Sequence, residues 1–362
     1  MKKILMVTHW YYPSNIPRAF RAKELYDQLK LDGYIVDIII GDYKMKILHD
    51  ETYDLSKFET IDNKHSSNIY NNKFIQKIKS IIEYFIGERY LFSRFKFIYK
   101  NIDLDNYDVV ISLGIPFYIH LLVATKLKRA SNIISIADWS DPFYNKKNNN
   151  YAFYFHYLQK YICNRFNYTV IPTHKAWNYF SEYTEEEKIK EIPQGFNFDK
   201  IEVQEYKKNE VVTFGYAGIF YKDIRNPEMF FEFLCSLDFN FKFIIYTVKH
   251  GSVYEDILVK YQKILGEKLI IIDRIDRIEC IKRLSIMDFL INIDNATKEQ
   301  VPSKLIDYAL TKRPILSFNQ NFIPKDKFME FCKDDYNSAT KICLDDYNIK
   351  NVCKKFERLF EE

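Results

Sequence analysis

Short runs of apolar, β-branched residues alternate with segments of helical periodicity along almost the whole chain. The first of these units is typical. Ile4–Thr8 predicts a buried strand, Ala19–Leu31 predicts a helix that Gly33 ends, and Tyr34–Ile40 predicts a second buried strand. Strands joined in this way run parallel and carry helices on both faces of their sheet. The chain is therefore expected to be an α/β protein built on doubly wound sheets.

The alternation occurs in two series, which predicts two Rossmann-like domains in tandem. A chain of 362 residues is long enough for two domains of ordinary size. We assign residues 1–192 to the first domain and 211–348 to the second, with the polar, aperiodic segment 193–210 as a linker. Residues 349–362 are expected to form a helix that packs back on the first domain. Ligands of such sheets bind outside the carboxyl ends of the strands, so the expected site is the cleft between the domains.

Composition and motif content exclude several classes of protein. Hydrophobic residues make up 47% of the chain, yet no apolar run reaches the ~18 residues that a membrane-spanning helix needs. The first residues lack a full apolar h-region, so we expect no export signal and a cytoplasmic protein. The six cysteines form no C-x-x-C pair, which argues against a zinc ribbon. Neither G-x-G-x-x-G nor G-x-x-x-x-G-K-[ST] occurs, which disfavours a dinucleotide oxidoreductase and a P-loop NTPase.

The positive charge of the chain is concentrated in its first half. The net charge is only +4, too small to indicate a nucleic-acid partner. Residues 73–100 contribute much of the excess, with seven Lys and Arg against two Glu, and their apolar residues recur at helical spacing. Two interpretations stay open. The segment is an amphipathic helix on an anionic membrane, such as the inner face of the cell membrane, or its apolar stripe packs on the first sheet.

The segment Glu299–Tyr308 has the features of a phosphate-binding helix start. Pro302 suits the first turn of a helix, and the free backbone N–H groups that follow it lie where the helix dipole favours an anion. Lys304 adds a full positive charge. Asp307 lies about one turn further on and is placed to accept hydrogen bonds from ribose hydroxyls. An ordinary helix start with solvated charges is the alternative on these residues alone.

Over nearly its whole length, the sequence resembles the GT-B glycosyltransferases of family 4. That family carries two acidic residues separated by seven others at a helix start in the second domain, and Glu299 and Asp307 match this spacing. Further resemblance lies in four stretches: Val301–Tyr308, Phe214–Pro227, Ile192–Asn197 and Ile136–Pro142. The version of Val301–Tyr308 is similar to that of enzymes of cell-surface polysaccharide synthesis. Asp307 replaces the usual second Glu, and the first loop lacks the Gly-Gly pair of many relatives.

The resemblance implies a retaining, metal-independent glycosyltransferase without a cofactor. Its donor would be a nucleoside diphosphate sugar, with UDP as the expected nucleotide, and its acceptor a glycan or lipid-linked glycan. The implied catalytic residues are Glu299, Arg225 and Lys304. The implied donor-binding residues are Gly218, Arg225, Arg274, Ile275, Ser303, Lys304, Leu305 and Asp307.

In the first domain we expect acceptor contacts from His9, Asp138 and Asp141 at the carboxyl ends of strands and from Arg18 near a helix start. That the two aspartates only shape turns is the alternative. A packing role for Arg18 and Arg21 stays open, and His120 is interpreted as a core histidine rather than a base. Two other classes of protein remain as alternatives to the transferase. One is a sugar-nucleotide epimerase of the same fold, and the other is a non-catalytic scaffold in a glycan assembly complex.

Overall fold

The chain forms two units in a computed structural model. The structure describes residues 2–14, 16–41, 47–48, 73–87, 99–100, 102–128, 132–141, 143–144, 151–199, 201–294 and 303–361. Unit 1 comprises Met1–Asn197 together with Asp346–Glu362, and unit 2 comprises Phe198–Asp345. Each unit contains one sheet with helices around it, so the predicted fold class is confirmed. No helix in the described part of the chain is long and apolar enough to span a bilayer.

Unit 1 contains a seven-stranded sheet in the order β3-β2-β1-β4-β5-β6-β7. Its strands are β1 Lys3–Thr8, β2 Ile35–Ile40, β3 Ile47–Leu48, β4 Val109–Leu113, β5 Ile134–Asp138, β6 Tyr168–Ile171 and β7 Ile189–Glu191. All neighbours are parallel except β2 and β3. The chain moves outward from β1 to β3 and then returns to the other side of β1. The carboxyl ends of β1 and β4 therefore flank a topological switch point, where doubly wound sheets bind ligands.

In the described part of unit 1, six α-helices lie around this sheet: α1 Pro17–Leu31, α2 Lys73–Ile86, α3 Tyr118–Lys126, α4 Tyr154–Arg165, α5 Trp177–Phe180 and, from the end of the chain, α11 Ile349–Leu359. Pro17 starts α1, where its missing N–H costs nothing. The side chain of Asn348 caps α11 by accepting a hydrogen bond from the Lys350 N–H at 3.0 Å. The apolar face of α11 packs with α1 in the core of unit 1.

Unit 2 contains a five-stranded parallel sheet in the order β10-β9-β8-β11-β12. Its strands are β8 Val212–Ala217, β9 Phe241–Tyr246, β10 Leu269–Ile272, β11 Phe289–Asp294 and β12 Ile315–Asn319. Its helices are α6 Glu228–Cys235, α7 Val259–Leu265, α8 Arg277–Leu284, α9 Ser303–Leu310 and α10 Lys325–Phe331. Buried phenylalanines fill its core, and Phe214 stacks on Phe289 with their ring centroids 5.1 Å apart. The switch point lies between β8 and β11.

Residues 198–209, within the segment expected to be a linker, belong to unit 2 rather than standing apart from it. The Gln204 N–H donates to the Ser285 hydroxyl at 3.0 Å, and the Tyr206 hydroxyl donates to the Asp288 carboxylate at 2.7 Å. The backbone N–H of Thr213 donates to the same carboxylate at 2.7 Å. Asp288 thus supplies the acceptors that this polar, aperiodic stretch needs, which is why it packs without forming a helix or strand.

Candidate functional site

Two cationic side chains lie together at the switch point of unit 2. Lys304 is in the first turn of α9, and its Nζ donates to the carbonyl of Ile293 at 3.2 Å. The same Nζ lies 4.8 Å from the centre of the Tyr216 ring. Arg225 donates from Nη1 to the carbonyl of Ile219 at 3.1 Å, and its charge acts directly on Lys304. The carboxyl ends of β8 and β11 therefore carry two positive charges beside a helix start.

The loop after β8 positions Arg225. Gly218 has a φ of +141°, a backbone conformation that side chains disfavour, and a Cβ there would lie 3.3 Å from the Tyr216 hydroxyl. The backbones of Tyr221 and Arg225 then exchange two hydrogen bonds, of 3.3 and 3.1 Å. This closure returns the chain to the edge of the sheet. The loop thus needs a glycine where it leaves β8, and the predicted contact of Gly218 with a donor stays a prediction.

The environment of Lys304 disfavours its charged form. Burial of the ammonium group lowers the pKa of Lys304 well below its usual value, and the nearby charge of Arg225 lowers it further. Asp294 acts in the opposite direction. An anionic ligand at this position would favour the charged form of Lys304, because it would offset both unfavourable effects.

Asp294 is a member of this cluster that the sequence did not single out. It ends β11, and its Oδ1 accepts a hydrogen bond from the Asn292 amide at 2.7 Å. The same amide nitrogen reaches the Ser317 hydroxyl on β12 at 3.0 Å. Burial raises the pKa of Asp294, whereas Lys304 and Arg225 lower it. Two polar residues at alternate positions in the otherwise apolar strand β11 were the signal that could have identified it.

Tyr308 fixes α9 to the end of β8. Its hydroxyl accepts a hydrogen bond from the Ala217 N–H at 2.7 Å and donates to the Ala217 carbonyl at 3.1 Å. Its side chain is fully buried. Through these two bonds, the helix that carries Lys304 is held in register with the strand that leads to Arg225. No sequence pattern indicates this contact, because the two residues are 91 positions apart.

Asp307 is paired with an arginine that the sequence did not identify. Its Oδ1 accepts hydrogen bonds from Arg277 Nε at 2.9 Å and from Arg277 Nη2 at 2.6 Å. The Asp307 side chain keeps 25% of its surface exposed. Burial raises the pKa of Asp307, and the charge of Arg277 opposes that rise. One carboxylate oxygen is therefore occupied, while the other is not involved in this pair and could accept from a ligand hydroxyl.

The other predicted donor residues lie on the same unit. Arg274 is exposed and Ile275 is partly buried, both in the loop between β10 and α8. Ser303 begins α9, and the Leu305 side chain is buried, which leaves its backbone as the part that could face a ligand. Glu299, the predicted first acid, lies outside the described residues. The structure thus brings Arg225 and Lys304 together at the end of the sheet and places Asp307 one turn along α9.

In unit 1, Asp138 is enclosed by two arginines. The Arg21 guanidinium donates to both carboxylate oxygens, from Nε at 2.6 Å and from Nη2 at 2.8 Å. Arg18 Nη2 donates to the Asp138 backbone carbonyl at 2.5 Å. Burial lowers the pKa of Arg18 to about 10, against the raising effect of Asp138. Asp138 is fully buried, so an acceptor hydroxyl could reach its carboxylate only after one of these bonds opened.

The remaining predicted acceptor residues lie at the same edge of the sheet. His9 follows β1 and is buried, with its Nδ1 2.6 Å from the Tyr118 hydroxyl. Asp141 is partly exposed and acts electrostatically on Arg18.

His120 is fully buried, and its Nδ1 lies 2.7 Å from the Ser112 hydroxyl. Burial lowers the pKa of His120 well below its usual value, which keeps the imidazole neutral and fits a core histidine.

Comparison with known proteins identifies the fold. No protein-family model and no curated protein sequence matches the chain. Solved structures do match. A glycosyltransferase from Rickettsia africae ESF-5 has a TM-score of 0.62 and 13% identity, covering 99% of this chain and 98% of that one. The lipopolysaccharide outer core galactosyltransferase WaaB, in its apo form, has a TM-score of 0.57 and 13% identity, covering 99% of both chains.

A third similar structure is Alr3699/HepE from Anabaena in complex with UDP-glucose. It has a TM-score of 0.54 and 10% identity, and the match covers 100% of this chain and 99% of that one. These likenesses extend over both units rather than over one Rossmann-like half. The chain therefore has the two-domain GT-B fold, as its resemblance to GT-B glycosyltransferases implies.

Proposed function

We propose that the protein is a glycosyltransferase that takes a sugar from a nucleoside diphosphate sugar, with UDP as the nucleotide, and transfers it to a glycan or lipid-linked glycan. The pair formed by Lys304 and Arg225 at the switch point of unit 2 carries this proposal. The shared fold supports it, because the similar structures include a galactosyltransferase and a protein in complex with UDP-glucose. Fold alone does not define chemistry, so the two cations are the decisive feature.

Each cation has a specific task in this proposal. When the bond between sugar and diphosphate breaks, negative charge develops on the departing phosphate oxygens. Lys304, Arg225 and the free N–H groups at the start of α9 stabilise that charge. The planar guanidinium of Arg225 suits two phosphate oxygens at once, whereas Lys304 acts as a point charge. The carboxylate of Asp294 lowers the electrostatic cost of holding the two cations together.

We further propose that transfer retains the anomeric configuration and needs no metal ion. In this scheme the acceptor hydroxyl attacks from the face that the diphosphate leaves, and a departing phosphate oxygen takes its proton. The carboxylate of Glu299 is assigned to the donor sugar and that of Asp307 to the ribose. Acceptor contacts are assigned to unit 1, where Asp141 is the most accessible of the four candidates.

Incubation of the purified protein with a panel of sugar nucleotides tests the proposed function. Slow hydrolysis of one donor is the expected result, because transferases pass the sugar to water when no acceptor is present. A suitable glycan should accelerate consumption of that donor by accepting the sugar. Rapid interconversion of the sugar without release would instead identify an epimerase. Failure to bind any sugar nucleotide would favour a scaffold without catalytic activity. Chromatography of the nucleotide and sugar products distinguishes the three outcomes.

The two acids are expected to affect nucleotide binding differently. Asp307→Ala should weaken UDP binding by about 1–3 kcal/mol, because a charged hydrogen bond to ribose is lost. Glu299→Gln should leave UDP affinity nearly intact while lowering transfer, because its assigned partner is the sugar. Glu279→Gln is a matched control, since that carboxylate pairs with Arg283 on α8. Calorimetric titration with UDP measures all three variants, and loss of UDP binding in Glu299→Gln would show that the roles are misassigned.

A further inference from the structure

Helix α2 turns its apolar face away from the protein. Five apolar side chains along one face keep 38–55% of their surface exposed: Ile78, Ile81, Ile82, Phe85 and Ile86. Among the side chains of α2 that the structure describes, Tyr84 alone is partly buried, and it packs against the core of unit 1. An amphipathic helix on the surface of a globular protein normally turns its apolar face toward the core. Of the two interpretations open for residues 73–100, packing of the apolar stripe on the sheet is therefore excluded for the described part.

This orientation is fixed where α2 ends. The Ala152 N–H donates to the carbonyl of Tyr84 at 2.9 Å, and the Gly87 N–H donates to the carbonyl of Glu83 at 2.8 Å. Gly87 has a φ of +85°, and a Cβ there would lie only 3.0 Å from the ring of Phe155. The end of α2 is thus held tightly against the segment that starts α4. The outward orientation of the apolar face of α2 is therefore fixed by contacts within unit 1.

The adjoining helix α4 adds exposed aromatic rings. Phe153 precedes the helix and is 74% exposed, and three tyrosines follow at a spacing that places them on one face: Tyr154, Tyr157 and Tyr161. Lys160 is exposed on the same helix. Tyrosine is suited to a boundary that is apolar on one side and wet on the other. The exposed apolar face of α2 is a patch of the kind that marks an interaction site, and the tyrosine face of α4 is exposed on the same unit.

Charge identifies the occupant of this patch. The sequence of α2 holds three lysines and one glutamate, and Lys77 is exposed on this helix. An anionic lipid surface complements both the apolar face and these cations. A second copy of the chain would bring two equally basic surfaces together, which is unfavourable. We propose that α2 lies in the headgroup region of an anionic bilayer, with its apolar face toward the acyl chains and the tyrosines of α4 at its border.

Co-sedimentation of the full chain with vesicles tests this proposal. Vesicles of equal parts phosphatidylglycerol and phosphatidylcholine should bind the protein at low salt, and vesicles of phosphatidylcholine alone should bind it much less. Salt at roughly 0.5 M should weaken the binding, because it screens the cations. The double variant Ile81→Ser, Ile82→Ser should lower the partition coefficient at least about 10-fold. Lys73→Glu with Lys77→Glu should lower it on anionic vesicles alone.

The matched control is Ile264→Ser, which removes an equally exposed isoleucine (59%) from α7 of unit 2 and should leave partitioning unchanged. Because the Lys77, Ile81 and Ile82 side chains are exposed, the thermal unfolding of the double serine variant should match that of the parent. No binding to anionic vesicles at low salt, or binding that the double serine variant retains, would overturn the proposal. A dimer in sedimentation velocity that the double serine variant abolishes would assign the patch to a second copy instead. Hydrolysis of a soluble donor is unaffected in either case, so the proposed function is tested separately.

Discussion

Lys304→Ala is expected to lower the turnover of sugar transfer by about 10²-fold or more, and Arg225→Ala to do the same. Both changes remove positive charge from the point where the departing diphosphate becomes more negative. The two cations also repel each other, because the charge of Arg225 lowers the pKa of Lys304. The double variant should therefore lose less than the product of the two single losses, because the residues act on one charge. Steady-state kinetics with a saturating donor measures the effect.

Lys222→Ala is the control for this experiment. Lys222 lies in the same loop as Arg225, but its side chain is exposed and pairs with Asp256. Its removal should leave turnover within a factor of about two, because an exposed ion pair contributes little. Turnover losses of equal size in Lys222→Ala and Arg225→Ala would contradict the assignment, since any cation in the loop would then serve. Unchanged turnover in Lys304→Ala would contradict it more directly.

Arg21→Ala should destabilise unit 1 by about 3–5 kcal/mol. The substitution leaves Asp138 fully buried without its two-pronged partner and removes donors from the carbonyls of Ile192 and Pro193. It also removes the guanidinium that lies 5.6 Å from the centre of the Phe356 ring. Arg21→Lys should recover little of this loss, because an ammonium cannot hold both carboxylate oxygens as a planar guanidinium does.

Tryptophan fluorescence can follow the unfolding of unit 1 selectively. All three tryptophans of the chain, at positions 10, 139 and 177, lie in unit 1. The control is Lys23→Ala, which removes an exposed pair with Asp27 on the same helix α1 and should cost at most about 0.5 kcal/mol. Urea denaturation that gives the same midpoint for Arg21→Ala and the parent chain would show that the buried cluster does not stabilise the unit.

The sequence predicted the parts of the structure that depend on local pattern. Alternating strand and helix signals gave two parallel sheets, because the periodicity of each element is written into a few consecutive residues. The position of Lys304 at a helix start was predicted for the same reason, and the start of any helix favours an anion. The outward orientation of α2 was not predictable. A helical stripe of apolar residues defines a face but not what that face contacts, and the contact of Tyr84 with the core decides it.

The pairings within the candidate sites depend on residues that are distant in sequence. Asp307 and Arg277 are 30 residues apart, and Arg21 and Asp138 are 117 apart. No periodicity connects such positions, so Arg277 was missed, and the two arginines that enclose Asp138 were not anticipated. The hydrogen bonds between Tyr308 and Ala217 were missed for the same reason. Such contacts become visible only when the topology brings separate strands to one edge of a sheet.

Calorimetric titration with UDP and UMP, at several pH values and in buffers of different ionisation enthalpy, tests most directly whether Lys304 and Arg225 hold a diphosphate. Burial and Arg225 lower the pKa of Lys304 in the free protein, and a bound diphosphate should raise it again. UDP binding should therefore take up protons, and above the second ionisation of phosphate near ~6 its affinity should fall as rising pH removes the Lys304 proton from the free protein. UDP should bind more tightly than UMP to the parent chain, and Lys304→Ala should lose most of that difference together with the proton uptake. Equal affinities for UDP and UMP in the parent chain, without proton uptake, would contradict the assignment of these two residues to the diphosphate.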